Sequence, residues 1–274
     1  MKENATKDVP IADFQKGKFL NREETVMSPE DSNMWKVMGE MLKGIKGRKP
    51  DKAIPTLPLN VEHGEKAFSI WLGHSTVYIS IEGYSILIDP VFSKYASPFP
   101  LLGPAAFPYS HPYSSQQFTS LDLVLITHDH YDHLDKKVIQ DLATRTKLFI
   151  VPKGVDQRLI KWGVAKNQIQ AVNWGETLHL SDALTLHVET SRHFSGRGLV
   201  NRNGTLWCSY VIESPSKRLY HSGDSGYGPH FKSIGDRYSS FDIAFMECGQ
   251  YNENWPQIHM MPEESAQAAV DIKT

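Results

Sequence analysis

An α/β sandwich, two β-sheets face to face with helices on the outside, is the fold this sequence predicts. Three observations predict it. The stretch Leu121 to Thr127, "LDLVLIT", is a continuous apolar run, which marks a strand buried on both faces. Each half of the chain passes from strand-like segments into a helix-like one, without an exact repeat between halves. Finally, 274 residues with 40% hydrophobic content suffice for one large core. Together they predict one layered domain over residues 61–274, preceded by an extension over residues 1–60.

The extension is polar, carries scattered Pro and Gly, and ends in "KGIKGRKPDKAIPTLPLN", the composition of a linker. One helix is predicted inside it. Ser28 can cap, Pro29 suits the first helical position, and Glu30 and Asp31 suit the positive end. Met34, Trp35, Met38, Met41 and Leu42 then share one face. Such a face docks on the domain surface; a flap over a cleft or a membrane-facing helix are the other uses open to it.

From Ala67 onward the pattern is β-rich. "AFSIWLGHSTVYISIEGYSILIDP" holds two or three short strands, with Glu82-Gly83 as a hairpin turn. A loop from Phe92 to Tyr113 follows, rich in Phe, Tyr and Pro and almost without charge. After the "LDLVLIT" strand, "DKKVIQDLATRT" reads as a helix and "KLFIVP" as a strand. In the second half "LTLHVET", "TLWCSYVIES", "KRLYHSG" and "FDIAFMECG" read as strands, and a helix starts at Pro262.

A net charge of −2 gives no global field for nucleic acid or for an anionic membrane. No apolar stretch approaches the roughly 18 residues of a membrane-spanning helix. The first residues lack an apolar h-region, so a cytoplasmic location is expected. Cys208 and Cys248 are too few for a disulfide framework, and each sits in an apolar run where a small buried hydrophobe is the usual role.

The chemistry concentrates in "ITHDHYDHLD", Ile126 to Asp135, at the end of a buried strand. His128 and His130 can grip one cation while Asp132 and His133 face a neighbouring one, because imidazole and carboxylate are ligands zinc accepts. A bare pair of histidines would read as a solvated loop; three histidines and an aspartate after a buried strand read as metal ligands. Further ligands should then stand at other strand ends. His193 in "VETSRHFSGRG" does, as does Asp224 in the glycine-flanked turn of "LYHSGDSGYG", where a carboxylate can bridge two cations. His221, inside the strand before Asp224, reads as packed behind the site.

The stretches "WLGHSTVYI", "LIDPVFSKYASP", "THDHYDHLD", "RHFSGRG", "LWCSYVI", "SGDSGYG", "FDIAFMECGQY" and "HMMPEES" resemble the metallo-β-lactamase superfamily. Within it they are most similar to the branch of N-acylphosphatidylethanolamine-hydrolysing phospholipase D and its bacterial relatives. The resemblance runs from about Phe68 to the C-terminus. It implies an αββα fold, two mixed β-sheets flanked by helices, with two zinc ions between the sheets. By similarity, His128, His130 and His193 hold the first zinc, Asp132 and His133 the second, and Asp224 bridges both. Asp89 resembles the aspartate that orients a ligand histidine, and His259 aligns with a residue beside the substrate phosphate. His74, in "GHST", stands near the site or is a buried, hydrogen-bonded histidine. The family's last ligand, a histidine in a short "HW" motif after the "PEE" helix, has no counterpart before Thr274; nor do the last strand and helices. The second zinc site is expected to be weakened accordingly.

The resemblance implies a hydrolase in which a hydroxide shared by the zinc ions attacks an electrophile, with Asp132, Asp224 and His259 as catalytic groups. Such a core does not choose its substrate. The uncharged loop from Phe92 to Tyr113 suits an acyl or lipid surface, with a rigid cover over the core as its other reading. Arg192 and Arg197 flank His193 and could meet a phosphate. A phosphodiesterase of phospholipase D type is therefore expected, with a small-molecule or lipid phosphodiester substrate and peripheral contact with the inner face of the membrane. A sugar-phosphate lactonase is the alternative enzyme, and a catalytically silent, zinc-stabilised binding protein is the alternative of another class. No basic stripe accompanies the site, so no nucleic-acid partner is expected.

Overall fold

In this computed structural model, residues 11–26, 39, 49–59, 61, 67–97, 103–198, 201–249 and 251–274 are described. The face expected of the amphipathic helix (Met34, Trp35, Met38, Met41 and Leu42) lies outside them. Residues 11–26 fold back on themselves. Strands β1 (Phe14–Gln15) and β2 (Lys18–Phe19) pair antiparallel across Lys16 and Gly17, both at positive φ. Ala12 and Phe19 are buried in the main core, although two apolar residues seven apart make no period a sequence could announce.

The first sheet is built from β3 (Phe68–Trp71), β4 (Val77–Ile81), β5 (Tyr84–Ile88), β6 (Leu121–Leu125), β7 (Thr146–Pro152) and β8 (Ile169–Val172), in that order. Glu82 and Gly83 take φ of +49° and +77°, the backbone of a tight hairpin turn between β4 and β5. From β5 onward the strands are parallel. Helix α1 (Lys136–Leu142) crosses between β6 and β7, and α2 (Val155–Lys161) between β7 and β8. Asp135 caps α1 by accepting from the amides of Lys137 and Val138, an arrangement worth about 1 kcal/mol.

The second sheet runs β13-β12-β11-β10-β9, from β9 (Thr177–Ser181), β10 (Leu184–Glu189), β11 (Ser209–Glu213), β12 (Arg218–His221) and β13 (Ile243–Phe245). Only β12 and β13 are parallel, so both sheets are mixed. Helix α3 (Pro229–Tyr238) links β12 to β13, and α4 (Pro262–Asp271) follows β13.

Period-two alternation sorts the side chains into layers. Ile86 and Ile88 face the second sheet and meet Leu186, Val188, Tyr210 and Ile212, while Leu87 between them faces the α1 and α2 layer with Val138, Ile139 and Leu159. Val211 and Tyr220 face outward against Phe231, Ile234 and Ala268 of α3 and α4. Each such fully buried aliphatic contributes about 1.5–3 kcal/mol. The result is helix, sheet, sheet, helix.

Two expectations need correction. The run "TLWCSYVIES" is strand only from Ser209; Leu206, Trp207 and Cys208 are buried as a connecting stretch, and the Cys208 amide donates to the Thr127 carbonyl at 2.9 Å. Apolar residues here serve burial without a ladder. Cys248 is exposed, because it falls beyond the end of β13 and not inside it.

Candidate metal centre

The loops after β5, β6, β10 and β12 meet at one end of the sandwich with the loop before α4. Parallel strands bring their carboxyl ends to the same edge, and β5 and β6 deliver Asp89 and the 126–135 loop there side by side. The second sheet ties down this loop: Tyr210 Oη donates to the Ile126 carbonyl at 2.7 Å, and Cys208 to that of Thr127.

The structure brings His128, His130, His193 and Asp224 together, with a potential ligand atom from each within 4.8 Å of the others. Their separations are 2.9 Å for His128 Nε2 to His130 Nδ1 and 3.3 Å for His130 Nδ1 to His193 Nε2. Asp224 Oδ2 is 3.8 Å from His128 Nε2 and 3.7 Å from His193 Nε2. Four donors about 2.0–2.1 Å from a tetrahedral cation lie about 3.4 Å from one another, so this set fits one. The outer nitrogens are already engaged. His193 Nδ1 lies 2.8 Å from the Ile258 carbonyl, and His128 Nδ1 lies 3.0 Å from Thr127 Oγ1, which leaves the Nε2 atoms to face inward.

A second set, His74, Asp132 and His133, lies alongside. Asp224 links the two, since its Oδ1 is 3.1 Å from His133 Nε2. Behind His133, Asp89 Oδ2 sits 2.8 Å from Nδ1, and Asp89 also accepts from the Thr127 amide and hydroxyl at 2.7 and 2.6 Å. Asp89 is fully buried, with φ of +43° just past β5. His74 is exposed, not buried, and its Nε2 is 3.1 Å from Asp132 Oδ2.

Burial, followed by the neighbouring imidazoles, holds His128 and His193 well below the ordinary histidine value. Both are therefore neutral, the form that ligates metal. His133 goes the other way: burial disfavours its charge, but Asp224 and Asp89 outweigh burial and raise it well above the ordinary value. Asp224 is likewise held low against its burial by His133. A cation entering this set competes with the proton on His133, so its uptake releases protons.

His259 Nδ1 lies 4.0 Å from Asp224 Oδ2 and 3.6 Å from Glu247 Oε2, at the edge of the first set. Glu247, at the end of β13, is fixed by accepting from the amides of Met260 and Gly249 at 2.7 and 3.1 Å. Sequence reasoning missed Glu247; its place at a strand end next to "HMMPEES" was the available signal. It missed Asn21 and Asp129 too. Asn21 exchanges hydrogen bonds with the His193 backbone, donating to its carbonyl at 2.8 Å. Buried Asp129 accepts from Arg158 at 2.6 Å and from the Gly196 amide at 2.7 Å, which joins the loops of His130 and His193. No spacing pattern marks either residue.

The two arginines proposed to meet a phosphate are committed elsewhere. Arg197 donates to the carbonyls of Asp129, His130 and Leu134 and lies 3.8 Å over the Tyr131 ring. Arg192 donates to Thr25, Glu24, Gln257 and the Tyr227 carbonyl, fastening the N-terminal segment to the site. The Arg197 guanidinium is taken up by three backbone carbonyls, and that of Arg192 by two carbonyls and two side-chain oxygens.

Imidazole and carboxylate ligand sets between the sheets of an αββα sandwich define a metal-dependent hydrolase. More particularly, the chain belongs to the β-lactamase superfamily domain family, whose model matches residues 84–274. An uncharacterised protein of Mycobacterium tuberculosis is 35% identical over 263 residues, covering 94% of this chain and 70% of that protein. Most of residues 1–60 fall inside that similarity. The N-acyl-phosphatidylethanolamine-hydrolyzing phospholipase D 1 of Caenorhabditis elegans is 31% identical over 232 residues, covering 79% of this chain and 65% of that protein. In fold, the chain is similar to a metallo hydrolase of the archaeon Ignicoccus hospitalis, with a TM-score of 0.56 at 22% identity over 76% of this chain and 78% of the other.

Proposed function

We propose that this protein is a phosphodiesterase of phospholipase D type that uses two zinc ions to cleave N-acylphosphatidylethanolamine-like lipid phosphodiesters. The observation that carries this reading is the pair of adjoining ligand sets linked through Asp224. The similarity to the Caenorhabditis elegans phospholipase D supports the substrate class. In this reading His128, His130 and His193 hold one ion, Asp132 and His133 the other, and Asp224 both. When bound, the two ions supply a nucleophile from water at neutral pH and offset charge on the phosphoryl oxygens.

The chain's own groups do the rest. In this reading Asp224 and Asp132 orient the attacking water, and His259, which lies 3.6 Å from Glu247, meets the substrate phosphate. Asp89 keeps the His133 ring in one orientation. Trp71, more than half exposed, donates its indole N–H to the His74 carbonyl at 2.8 Å and so stands at the rim of the site, where it can meet an acyl chain. Part of the uncharged loop has another use: Phe92 stacks on Phe118 at 6.0 Å and packs into the core. Phe107 stays exposed for a lipid surface. Among the described residues no helix is long and apolar enough to cross a membrane. The contact proposed is a peripheral one at the inner face of the membrane.

The test is zinc-loaded protein incubated with vesicles containing an N-acylphosphatidylethanolamine, and separately with a sugar-phosphate lactone. Water added across the phosphodiester should yield phosphatidic acid and the N-acylethanolamine in equal amounts. Opening of the lactone alone would replace this reading with a lactonase. No turnover of either, with both metals bound, would leave a zinc-stabilised binding protein.

A further inference from the structure

Residues 19–26 precede the stretch 84–274 that matches the family, yet they are bonded in succession to the segments around His193. The Phe19 amide donates to the Asn203 carbonyl at 2.8 Å, and the Asn203 amide donates in turn to the Ser195 carbonyl at 2.9 Å. Asn21 meets His193 itself. The Glu24 carbonyl and the Thr25 hydroxyl accept from Arg192, and the Val26 amide donates to Gln257 Oε1 at 2.7 Å.

The contact at Asn21 runs in both directions. Its Nδ2 donates to the His193 carbonyl at 2.8 Å, while its Oδ1 accepts from the His193 amide and from the Trp207 indole, each at 3.2 Å. His193 stands beyond the end of β10 at Glu189, so no ladder takes up its peptide groups, and the Asn21 side chain does so instead. The ring of the same histidine is held at Nδ1, 2.8 Å from the Ile258 carbonyl. Gln257, the residue before Ile258, accepts from both the Val26 amide and Arg192. A closed circuit results, from Asn21 to His193, on to Ile258 and Gln257, and back through Val26 along the chain. One short segment thus fixes the backbone of a candidate metal ligand and also the strand of chain that holds its ring.

We propose that residues 19–26 are an integral part of the metal centre, with Asn21 as the positioning residue that sets the His193 ring on the first ion. This rests on the reading in which His128, His130 and His193 hold one ion, and it needs nothing of the second. A ligand ordered before the metal arrives lowers the entropic cost of binding, so loosening it weakens that ion alone.

The experiment measures zinc affinity of the full chain by chelator competition for wild type, Asn21→Ala, Asn21→Asp, Gln257→Ala and the Asn21→Ala, Gln257→Ala double variant. Urea midpoints of the metal-free proteins are taken alongside. Asn173→Ala is the control: Asn173 Oδ1 accepts from the Ala12 amide at 3.1 Å, so the change loosens the same segment away from His193. In Asn21→Ala one ion should bind at least about 10-fold more weakly and the other as in wild type. Asn21→Asp should be weaker still, because a carboxylate oxygen then faces the His193 carbonyl. Gln257→Ala should weaken the same ion, and the double variant should lose less than the two single changes combined, since both open one circuit. With cobalt(II) in place of zinc, the visible spectrum should shift in both Asn21 variants and stay that of wild type in Asn173→Ala. Unchanged affinity in Asn21→Ala would overturn the proposal, as would equal weakening of both ions or an equal loss in Asn173→Ala. Weaker binding with a wild-type cobalt spectrum would also overturn it, leaving Asn21 a support of the fold only. Full additivity in the double variant would overturn the circuit through Gln257. A wild type that holds no zinc would overturn the metal reading itself, and this assignment with it, before any variant is compared.

Discussion

The two ligand sets come within two residues of each other in the chain, at His130 and Asp132, yet they are built in opposite ways. His128 and His193 are almost wholly buried, and their outer nitrogens are already held by Thr127 and the Ile258 carbonyl. His74 is exposed, and Asp132 only partly covered. The first set is organised by the core: strand ends from both sheets, locked by Tyr210, Asp129 and Asn21, leave its rings little freedom. The second has one rigid member, His133, pinned by Asp89, and otherwise depends on a surface turn. Ordering a side chain before a ligand arrives removes an entropic cost from binding. The first site should therefore bind more tightly and release its ion last.

The strongest way to break this contrast is Asp224→Ala, which removes the carboxylate that links the two sets. Zinc content should fall at both sites, and hydrolysis should drop by more than about a thousandfold, read by elemental analysis and product formation. A smaller and more selective effect is expected from Asp89→Asn. It removes the negative charge behind His133 while keeping the size of the side chain, so the second ion should bind about 10–100-fold more weakly and the first be nearly unaffected. Equal weakening of both, in a competition titration, would mean that the sets are not separable.

The smallest effect sharpens the comparison through pH. In metal-free protein, burial depresses His128, His193 and His221, and takes His230, beside Ser225, to about 3. Their unfolded forms bind protons at about 6.5, so stability from these groups is full above that pH and declines as pH falls from 6.5 toward 3. His133 opposes them, because its raised value makes its contribution full below 6.5 and lost as pH rises through the folded value. Urea midpoints measured at pH 7.5, 5.5 and 4.5 should fall on acidification. Loaded with zinc, the protein should lose the His133 contribution, and its acid limb should steepen as ligand protonation expels metal.

Legibility in the sequence follows the same divide. Glu82-Gly83, the "LDLVLIT" strand and the helix in "DKKVIQDLATRT" are local signals, and each sits where its residues indicate. Helices α2 and α3 and strands β8 and β9 were not anticipated. Their apolar residues are few, and their burial depends on what packs over them, as with Val155 and Leu159 against the first sheet. The N-terminal segment shows the limit best: Asn21 and the partners of Arg192 matter through contacts more than 160 residues away in sequence.

By itself the sequence determined the sandwich and the residue types of the metal centre. Alternation, unbroken apolar runs and histidines clustered at a strand end are patterns within a few residues, and burial and ligand chemistry act on them directly. Only the tertiary structure decided which groups converge. The second imidazole beside Asp132 comes from His74, the backing of His259 from Glu247, and Arg192 and Arg197, expected at a phosphate, are occupied by carbonyl and side-chain oxygens of the protein. Those assignments turn on distances of 3–4 Å between segments far apart in the chain, and no local pattern carries such distances.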